Sequence, residues 1–343
     1  MTQTATDDIH TEEQQYGSEL VAATSRFARE IRAKSWWHFG STFAALIACL
    51  VAAALIPWWP VRAAAAIIGG LTMVRAFIIY HDVMHGSILR KSIPALIVMY
   101  IYGLLTLSPP SAWRRSHNFH HAAVGKVSGS GIGSFPVMTV AEWKSAGAWQ
   151  RFIYRVNRHP LTILSAYMTV FFYNNTLKPF VRRPLQNWDA ACAVVLHAGV
   201  IVGLWLLGGP LLALFAFMIP YALSAVVGAY LFYAQHNYAG VDMLPPEKWS
   251  YHKAALRSSS YMKLGPLMNW FTGNIGYHHI HHVNMSIPFY RLKETMSAIP
   301  ALQRAGDTSL RIRDVISCLS LKLWDEQSGR MISFRDLRVL VRA

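Results

Sequence analysis

Four runs of the chain are almost entirely apolar, and each is close to twenty residues long. A helix of about 20 apolar residues is needed to cross the ~30 Å hydrocarbon core of a bilayer. Only 14% of the 343 residues are charged, where soluble proteins carry about a quarter. The sequence therefore predicts four transmembrane helices, at residues 38–56, 62–80, 190–207 and 211–233. Two shorter apolar runs, 93–107 and 161–173, predict interfacial or re-entrant helices.

The distribution of basic residues predicts the topology. The turns 57–61 and 208–210 contain no Lys or Arg, whereas the amino-terminal arm, the segment 81–189 and the region after residue 236 are rich in both. The positive-inside rule then places both termini and the large middle segment in the cytoplasm. The expected fold is an all-α integral membrane protein with two helical hairpins and a cytoplasmic helical cap.

Three regions are expected along the chain. Residues 1–35 are polar and charged, so they show no cleavable signal peptide, and they predict a cytoplasmic arm whose first dozen residues are disordered. Residues 36–300 form the membrane domain and residues 301–343 a cytoplasmic helical tail. The glycine-rich segment 125–135 is interpreted as a loop.

The net charge of +15 has two interpretations. The charges set the topology and face lipid headgroups, or they form a docking face for an acidic partner such as a small electron carrier. The three cysteines are far apart in the sequence, which favours neither a disulfide framework nor a cysteine metal site.

Histidines are concentrated in a few short segments. Of the fifteen in the chain, two are four residues apart in "HDVMH", and "HNFHH" and "HHIHH" each place three at i, i+3 and i+4. This spacing puts side chains on one face of a helix. A ninth histidine follows the fourth apolar run in "YAQHN". All four places are expected on the same side of the membrane, so they can converge. The residues are His81, His85, His117, His120, His121, His236, His278, His281 and His282.

So many imidazoles exceed the needs of one ion. A zinc ion takes about four ligands, and "HDVMH" lacks the glutamate and the spacing of a zinc peptidase helix. Haem ligands in membrane bundles would lie within the apolar runs, where only His197 is deep. Two irons with nitrogen ligands fit the pattern best, and such a pair could activate O2 to attack an unactivated C–H bond.

Other polar residues carry weaker expectations. His38, His159, His197 and His252 stand alone, and each is expected to be a core or surface residue. Arg75 is expected to snorkel to the interface or to pair with Asp82. Gln235 or Asn237 is expected to orient the ring of His236.

The chain resembles the membrane fatty acid desaturase family. The resemblance rests on "VRAFIIYHDVMHGS", "WRRSHNFHHAAVG" and "TGNIGYHHIHHVNMSIPFYRL", which look like the three histidine boxes of that family. It covers roughly residues 40–300, and it is closest to bacterial acyl-lipid desaturases. The family often has a Cys-Gly pair where Val83 and Met84 stand, and acidic residues where "SGSGIGS" follows the second box.

The resemblance implies a function and its partners. The eight box histidines would be iron ligands, and His236 would match an additional one. Two non-haem irons, O2 and two externally supplied electrons would introduce a cis double bond into a fatty acyl chain of a lipid or acyl carrier. The electrons would come from a carrier such as ferredoxin, because no cytochrome b5 motif is present. The setting would be a bacterial-type inner membrane, with no nucleic acid partner.

Three matters stay open at this point. A hydroxylase or related oxygenase on the same fold is the alternative function. A metal transporter with a histidine-rich site would need polar residues along the apolar runs, which offer little beyond Arg75 and His197. An acyl chain could lie against residues such as Phe77, Leu104 or Phe232.

Overall fold

The computed structural model describes residues 15–127 and 135–340. The expected disorder of the first dozen residues, and most of the glycine-rich segment after residue 125, fall outside these ranges. The described residues are mainly helical, in agreement with the predicted fold class. A helix at residues 15–25 (α1) precedes the apolar part of the chain.

Three helical segments are long and apolar enough to cross a membrane. They are Arg32–Leu55 (α2), Trp59–His85 (α3) and the continuous segment Trp188–His236. A fourth candidate is a bent pair, Ile93–Leu105 (α4) and Pro110–Ala123 (α5), whose axes differ by 90°. The 13 residues of α4 would extend only about 20 Å at 1.5 Å per residue, so the bend agrees with the prediction of a re-entrant or interfacial element.

The segment Trp188–His236 reverses direction at a pair of glycines. Gly208 is non-helical, and Gly209 has a φ of +78°, which a residue without a side chain adopts readily. On either side of this break, the rings of His197 and Tyr221 are 4.9 Å apart, whereas 24 residues of straight helix would separate them by about 36 Å. The predicted turn at 208–210 is therefore present, and the chain forms a helical hairpin there.

The hairpin consists of Trp188–Ala213 (α10), a π-helical turn Leu214–Met218, and Ile219–His236 (α11). Both α2 and α11 pack against α3, which makes α3 the central helix of the bundle. The helix that contains the second apolar run extends beyond its predicted end at residue 80 and ends at His85. There Gly86, with a φ of +74°, closes the helix and donates its backbone N–H to the Asp82 and Val83 carbonyls.

Shorter helices make up most of the remaining described residues. The α-helices among them are Val140–Ser145 (α6), Ala148–Asn157 (α7), Pro160–Leu164 (α8), Lys178–Arg182 (α9), Tyr251–Arg257 (α12), Pro266–Phe271 (α13), His278–Val283 (α14), Leu292–Ala298 (α15), Ile312–Ser320 (α16) and Phe334–Leu340 (α17). A π-helix spans Tyr167–Leu177, and 3₁₀ turns lie at Pro184–Gln186, Pro246–Lys248, Ile275–Tyr277, Phe289–Arg291 and Pro300–Arg304.

Two small sheets in the part of the chain that the structure describes were not predicted. In the described residues, Met138–Thr139 (β1) pairs in parallel with Leu323–Asp325 (β4), which pairs antiparallel with Arg330–Ile332 (β5). Tyr261–Lys263 (β2) pairs in parallel with Asp307–Ser309 (β3). The expected helical tail thus also contributes strands. These strands are only two or three residues long, too short for an alternating pattern to stand out in the sequence.

Candidate metal centre

The first histidine pair lies at the end of the central helix. His81 and His85 are one turn apart on α3, so their side chains share one face. Their ring centroids are 4.5 Å apart. The helix continues far enough beyond the apolar run to present both rings, as the spacing predicted.

The second group lies on α5. The proline at the start of this helix sits in the first turn, where no backbone N–H is needed. His117 and His121 are one turn apart, with Nε2 atoms 3.1 Å from each other. His120 points away from these two rings, and its Nε2 is 3.1 Å from that of His236. The helix α5 therefore presents histidine rings in two different directions.

The third group depends on a tight turn before α14. Gly273 has a φ of +53°, and a Cβ there would lie 2.9 Å from Cγ2 of Ile78 on α3. Asn274 follows with a φ of +56°, which asparagine tolerates better than most residues. This close approach of the backbone to α3 brings the short helix carrying His278, His281 and His282 against the other histidines.

The nine predicted histidines converge in two separate groups. Within each group, the nearest ring nitrogens all lie within 4.8 Å of one another. The first group has five members: His81, His85, His117, His121 and His281. The second group has four members: His120, His236, His278 and His282. We call them the five-histidine group and the four-histidine group.

The distances between ring nitrogens suit metal coordination. The Nε2 atom of His236 is 2.8 Å from that of His278, and the Nε2 atoms of His121 and His281 are 3.0 Å apart. Two imidazole nitrogens at ~2.1 Å from one ion, at right angles to each other, would be about 3 Å apart. In addition, the buried Nε2 atoms of His81 and His85 have no hydrogen-bond partner. The donor set therefore fits an ion in each group.

A carboxylate orients one member of the five-histidine group. The Nδ1–H of His81 donates to Oδ1 of Asp82 at 2.9 Å, so the lone pair of this neutral ring lies on Nε2. The other carboxylate oxygen of Asp82 accepts the backbone N–H of Phe289 at 2.8 Å. Asp82 thus connects the first histidine segment with the chain that follows the third.

A backbone carbonyl orients His236. Its Nδ1–H donates to the Ser258 carbonyl at 2.9 Å, which directs the Nε2 lone pair into the four-histidine group. The prediction that Gln235 or Asn237 would do this is wrong. Gln235 donates to the Ile275 carbonyl, and Asn237 bonds to the side chains of Arg158 and Tyr233. Gln235 is directed away because successive residues of a helix point about 100° apart, and Asn237 follows the end of α11, where the backbone is no longer helical.

Burial keeps the rings of the third segment neutral. Removal from water, together with the neighbouring imidazoles, holds the pKa of His278, His281 and His282 well below the usual value. Neutral imidazole is the form that binds metals. Between them, His279 points elsewhere, as expected, and donates its Nε2–H to the Leu302 carbonyl at 2.9 Å.

The other single histidines lie outside both groups. His159 caps α8 by accepting the Leu161 backbone N–H, His197 lies between the Leu105 carbonyl and the Tyr167 hydroxyl, and His252 lies on α12. These places agree with their interpretation as core or surface residues. His38 is half-buried and belongs to a polar cluster inside the protein, which agrees with the same interpretation.

That cluster surrounds Arg75, which neither snorkels nor pairs with Asp82 as predicted. The guanidinium is 3% exposed and donates to Thr42, to the Trp270 carbonyl and to Nδ1 of His38. It also lies over the ring of Trp270, at 4.6 Å. The three donor contacts satisfy the arginine inside the protein, so it has no need to reach the interface.

A cavity opens next to the five-histidine group. It has a volume of about 400 Å³. It is lined by Val83, Met84, His85, Gly86, Arg90, Leu96, Arg114 and Ser286. The suggested lining residues Phe77, Leu104 and Phe232 are not among them. Phe77 and Leu104 pack against the core, and Phe232 contacts the ring of His120 at 4.8 Å.

Comparison with known proteins gives the family. Residues 57–312 match the family model described as fatty acid desaturase. A fatty acid desaturase of Bacillus subtilis (strain 168) is 32% identical over 78% of this chain and 75% of its own length.

More distant relatives are acyl-lipid desaturases. An sn-1 oleoyl-lipid 12-desaturase of Picosynechococcus sp. (strain ATCC 27264 / PCC 7002 / PR-6) is 22% identical, over 78% of this chain and 76% of its own. An sn-1 acyl-lipid omega-3 desaturase (ferredoxin) of Nostoc sp. (strain 36) is 24% identical, over 65% and 63%. With its histidine groups and long apolar helices, the chain belongs to the fatty acid desaturase family, whose members are oxidoreductases.

Proposed function

We propose that the protein is an O2-dependent di-iron desaturase that introduces a cis double bond into a fatty acyl chain of a lipid or acyl carrier. The observation that carries this proposal is the division of nine histidines into a group of five and a group of four. Each group would hold one iron ion. Membership of the desaturase family supports the same reaction.

The donor set favours iron over zinc. Imidazole nitrogen binds zinc, copper, iron and nickel, but structural zinc takes four ligands and catalytic zinc about three with one water. Five imidazoles around one point exceed that requirement. When bound, two irons supply the activation of O2 needed to break the C–H bonds of an unactivated methylene.

The protein's own residues would prepare and protect the centre. Asp82 and the Ser258 carbonyl fix the tautomers of His81 and His236, which places nitrogen lone pairs where an ion would sit. Trp113 stacks on His117 with ring centroids 4.5 Å apart. With Phe232 beside His120, these aromatic rings form apolar walls that exclude water from the histidine groups.

The partners follow from the class of reaction. Two of the relatives bear ferredoxin in their names, and we extend this to a small acidic electron carrier for the present chain. The basic residues would face that carrier on the cytoplasmic side, with both termini and the histidine groups on that side. The long apolar helices are compatible with a membrane protein, and a membrane is where an acyl-lipid substrate resides.

Metal analysis and lipid analysis test the proposal together. Protein purified after growth with iron should contain about two irons per chain. The lipids of an expressing host should gain an acyl chain two mass units lighter, with one more double bond. Full activity with one zinc per chain would contradict the di-iron centre. A product sixteen mass units heavier would instead identify a hydroxylase.

A further inference from the structure

The cavity of about 400 Å³ reaches the metal centre from outside the protein. Within the five-histidine group, His85 is partly exposed, whereas the other four members are buried. His85 also lines the cavity. This opening therefore leads from the surface to the edge of the group.

Two unpaired arginines lie in the cavity wall. Arg90 comes from the turn after α3 and Arg114 from α5, and both line the opening. Within residues 15–127 and 135–340, neither guanidinium makes a hydrogen bond or an ion pair with another side chain. Arg115, the neighbour of Arg114, is instead bonded to the side chain of Asn187. The two cavity arginines are thus available to an external anion.

An apolar helix also contributes to the cavity wall. Leu96 projects from α4 and is 48% exposed. Other apolar side chains of this helix, Ile93, Ile97 and Ile101, are similarly exposed. A contiguous exposed apolar face on a helix of this hydropathy is suited to lipid contact. The cavity lining therefore combines two cationic side chains with an apolar residue from a helix whose exposed face is suited to lipid contact.

We infer that this cavity binds the phosphate of a membrane phospholipid, and that the protein takes its acyl chain from that lipid. The inference rests on the proposed function and names its substrate carrier. Arginine presents a planar fork that matches phosphate oxygens in a bidentate manner. The phosphate would lie between Arg90 and Arg114, and the acyl chain would pass Leu96 toward the centre beside His85.

The size of the cavity favours a lipid headgroup over an electron carrier as the molecule that binds in it. Ligand pockets have volumes of about 300–1,000 Å³, a range that includes this cavity. A protein partner would need about 800 Å² of surface on each side. Coenzyme A thioesters also carry phosphate, but the exposed apolar wall of α4 points to a molecule that arrives through the bilayer.

Binding can be measured without O2, electrons or turnover. The probe is dioctanoyl phosphatidylglycerol, titrated onto the purified iron-loaded protein in detergent and followed by native mass spectrometry. Dioctanoylglycerol serves as the same molecule without phosphate, and palmitoyl-coenzyme A as a competitor. The variants are Arg90→Gln, Arg114→Gln and the double substitution. Lys91→Gln is the matched control, because it removes one charge from the same turn without altering the cavity lining.

The double variant should bind the phosphatidylglycerol at least about tenfold more weakly, because it loses the charge-assisted hydrogen bonds of both arginines to the phosphate. Its affinity for dioctanoylglycerol and its iron content should be unchanged. If Arg114→Gln misfolds, Arg90→Gln alone, in an exposed turn, still tests the site.

Two results would overturn the inference: phosphatidylglycerol binding that is unchanged in the double variant, or arginine-dependent binding in which palmitoyl-coenzyme A outcompetes the phospholipid. A wild-type protein that contains no iron, or that produces no additional double bond in the host lipids, would instead contradict the proposed function.

Discussion

Two of the histidines in these groups have a hydrogen-bond partner at the far side of the ring. For His81 this partner is the carboxylate of Asp82, and for His236 it is the carbonyl of Ser258. Such contacts set which nitrogen carries the proton and how basic the other one is. The ligating histidines are therefore only part of the proposed centre, and the residues behind them are equally open to test.

Replacing Asp82 with asparagine should weaken the centre. An amide cannot accept from both the His81 ring and the Phe289 backbone N–H, because one end of it is a donor. We expect iron content to fall and product formation to decrease by about 10–100-fold. Iron per chain, product per iron and the thermal unfolding of the iron-free protein are the measurements.

Asp242→Asn is the control for this substitution, since Asp242 pairs with Arg257 in a half-exposed position. If Asp82→Asn keeps normal iron content and rate, the carboxylate has no positioning role. If it only lowers the stability of the iron-free protein, its role is structural alone.

His236 can be tested as a member of the four-histidine group. Its Nε2 lies 3.1 Å from that of His120 and 2.8 Å from that of His278, so His236→Ala removes a nitrogen from the middle of the group. We expect the variant to lose about one of two irons and at least about tenfold in rate. His252→Ala, on α12 outside both groups, should match the wild type. Equal iron and activity in both variants would remove His236 from the proposed ligand set.

At the scale of elements, Arg75 connects three helices. It belongs to α3, and it donates to Thr42 on α2 and to the carbonyl of Trp270 on α13. Its guanidinium also lies 5.5 Å from the ring centre of Phe289, the residue whose backbone N–H reaches Asp82. Arg75 thus links the chain on either side of the third histidine segment to α2 and α3.

Arg75→Met should destabilise the protein. The substitution keeps an apolar stem but leaves the buried Thr42 hydroxyl without this donor, which costs about 1–3 kcal/mol. We expect a lower thermal midpoint in detergent and a smaller loss of iron. Lys34→Met, which removes an exposed charge near the start of α2, should have little effect. A variant as stable as the wild type would show that the three contacts contribute nothing to holding the helices together.

At the scale of the whole molecule, the net charge of +15 bears on how electrons arrive. Steered association between opposite charges weakens as salt screens them, with a Debye length of about 10 Å at 0.1 M. With an acidic carrier of the ferredoxin type, KM for the carrier should rise about tenfold between low and high salt, while kcat changes little. A KM independent of salt, or turnover with nicotinamide alone, would contradict this docking.

Much of the architecture follows from local sequence patterns. The apolar runs predict the long helices because their length must match the bilayer, and the break at 208–210 is visible as Gly-Gly-Pro. Eight of the nine histidines were identifiable because spacings of three and four residues place side chains on one face of a helix, and His236 was identifiable from its place after the fourth apolar run. The short strands were missed, since two or three residues carry no periodicity.

The sequence alone determined which residues could be ligands and which helices would carry them, because helical spacing and hydrophobic length are local properties. Only the tertiary structure decided how the nine histidines divide, since His120 and His121 are adjacent yet join different groups. It also decided that Ser258 supports His236, that Arg75 bonds to Thr42 and Trp270, and that a cavity with two arginines opens at His85. These contacts join residues distant in sequence, and their formation depends on how the helices pack.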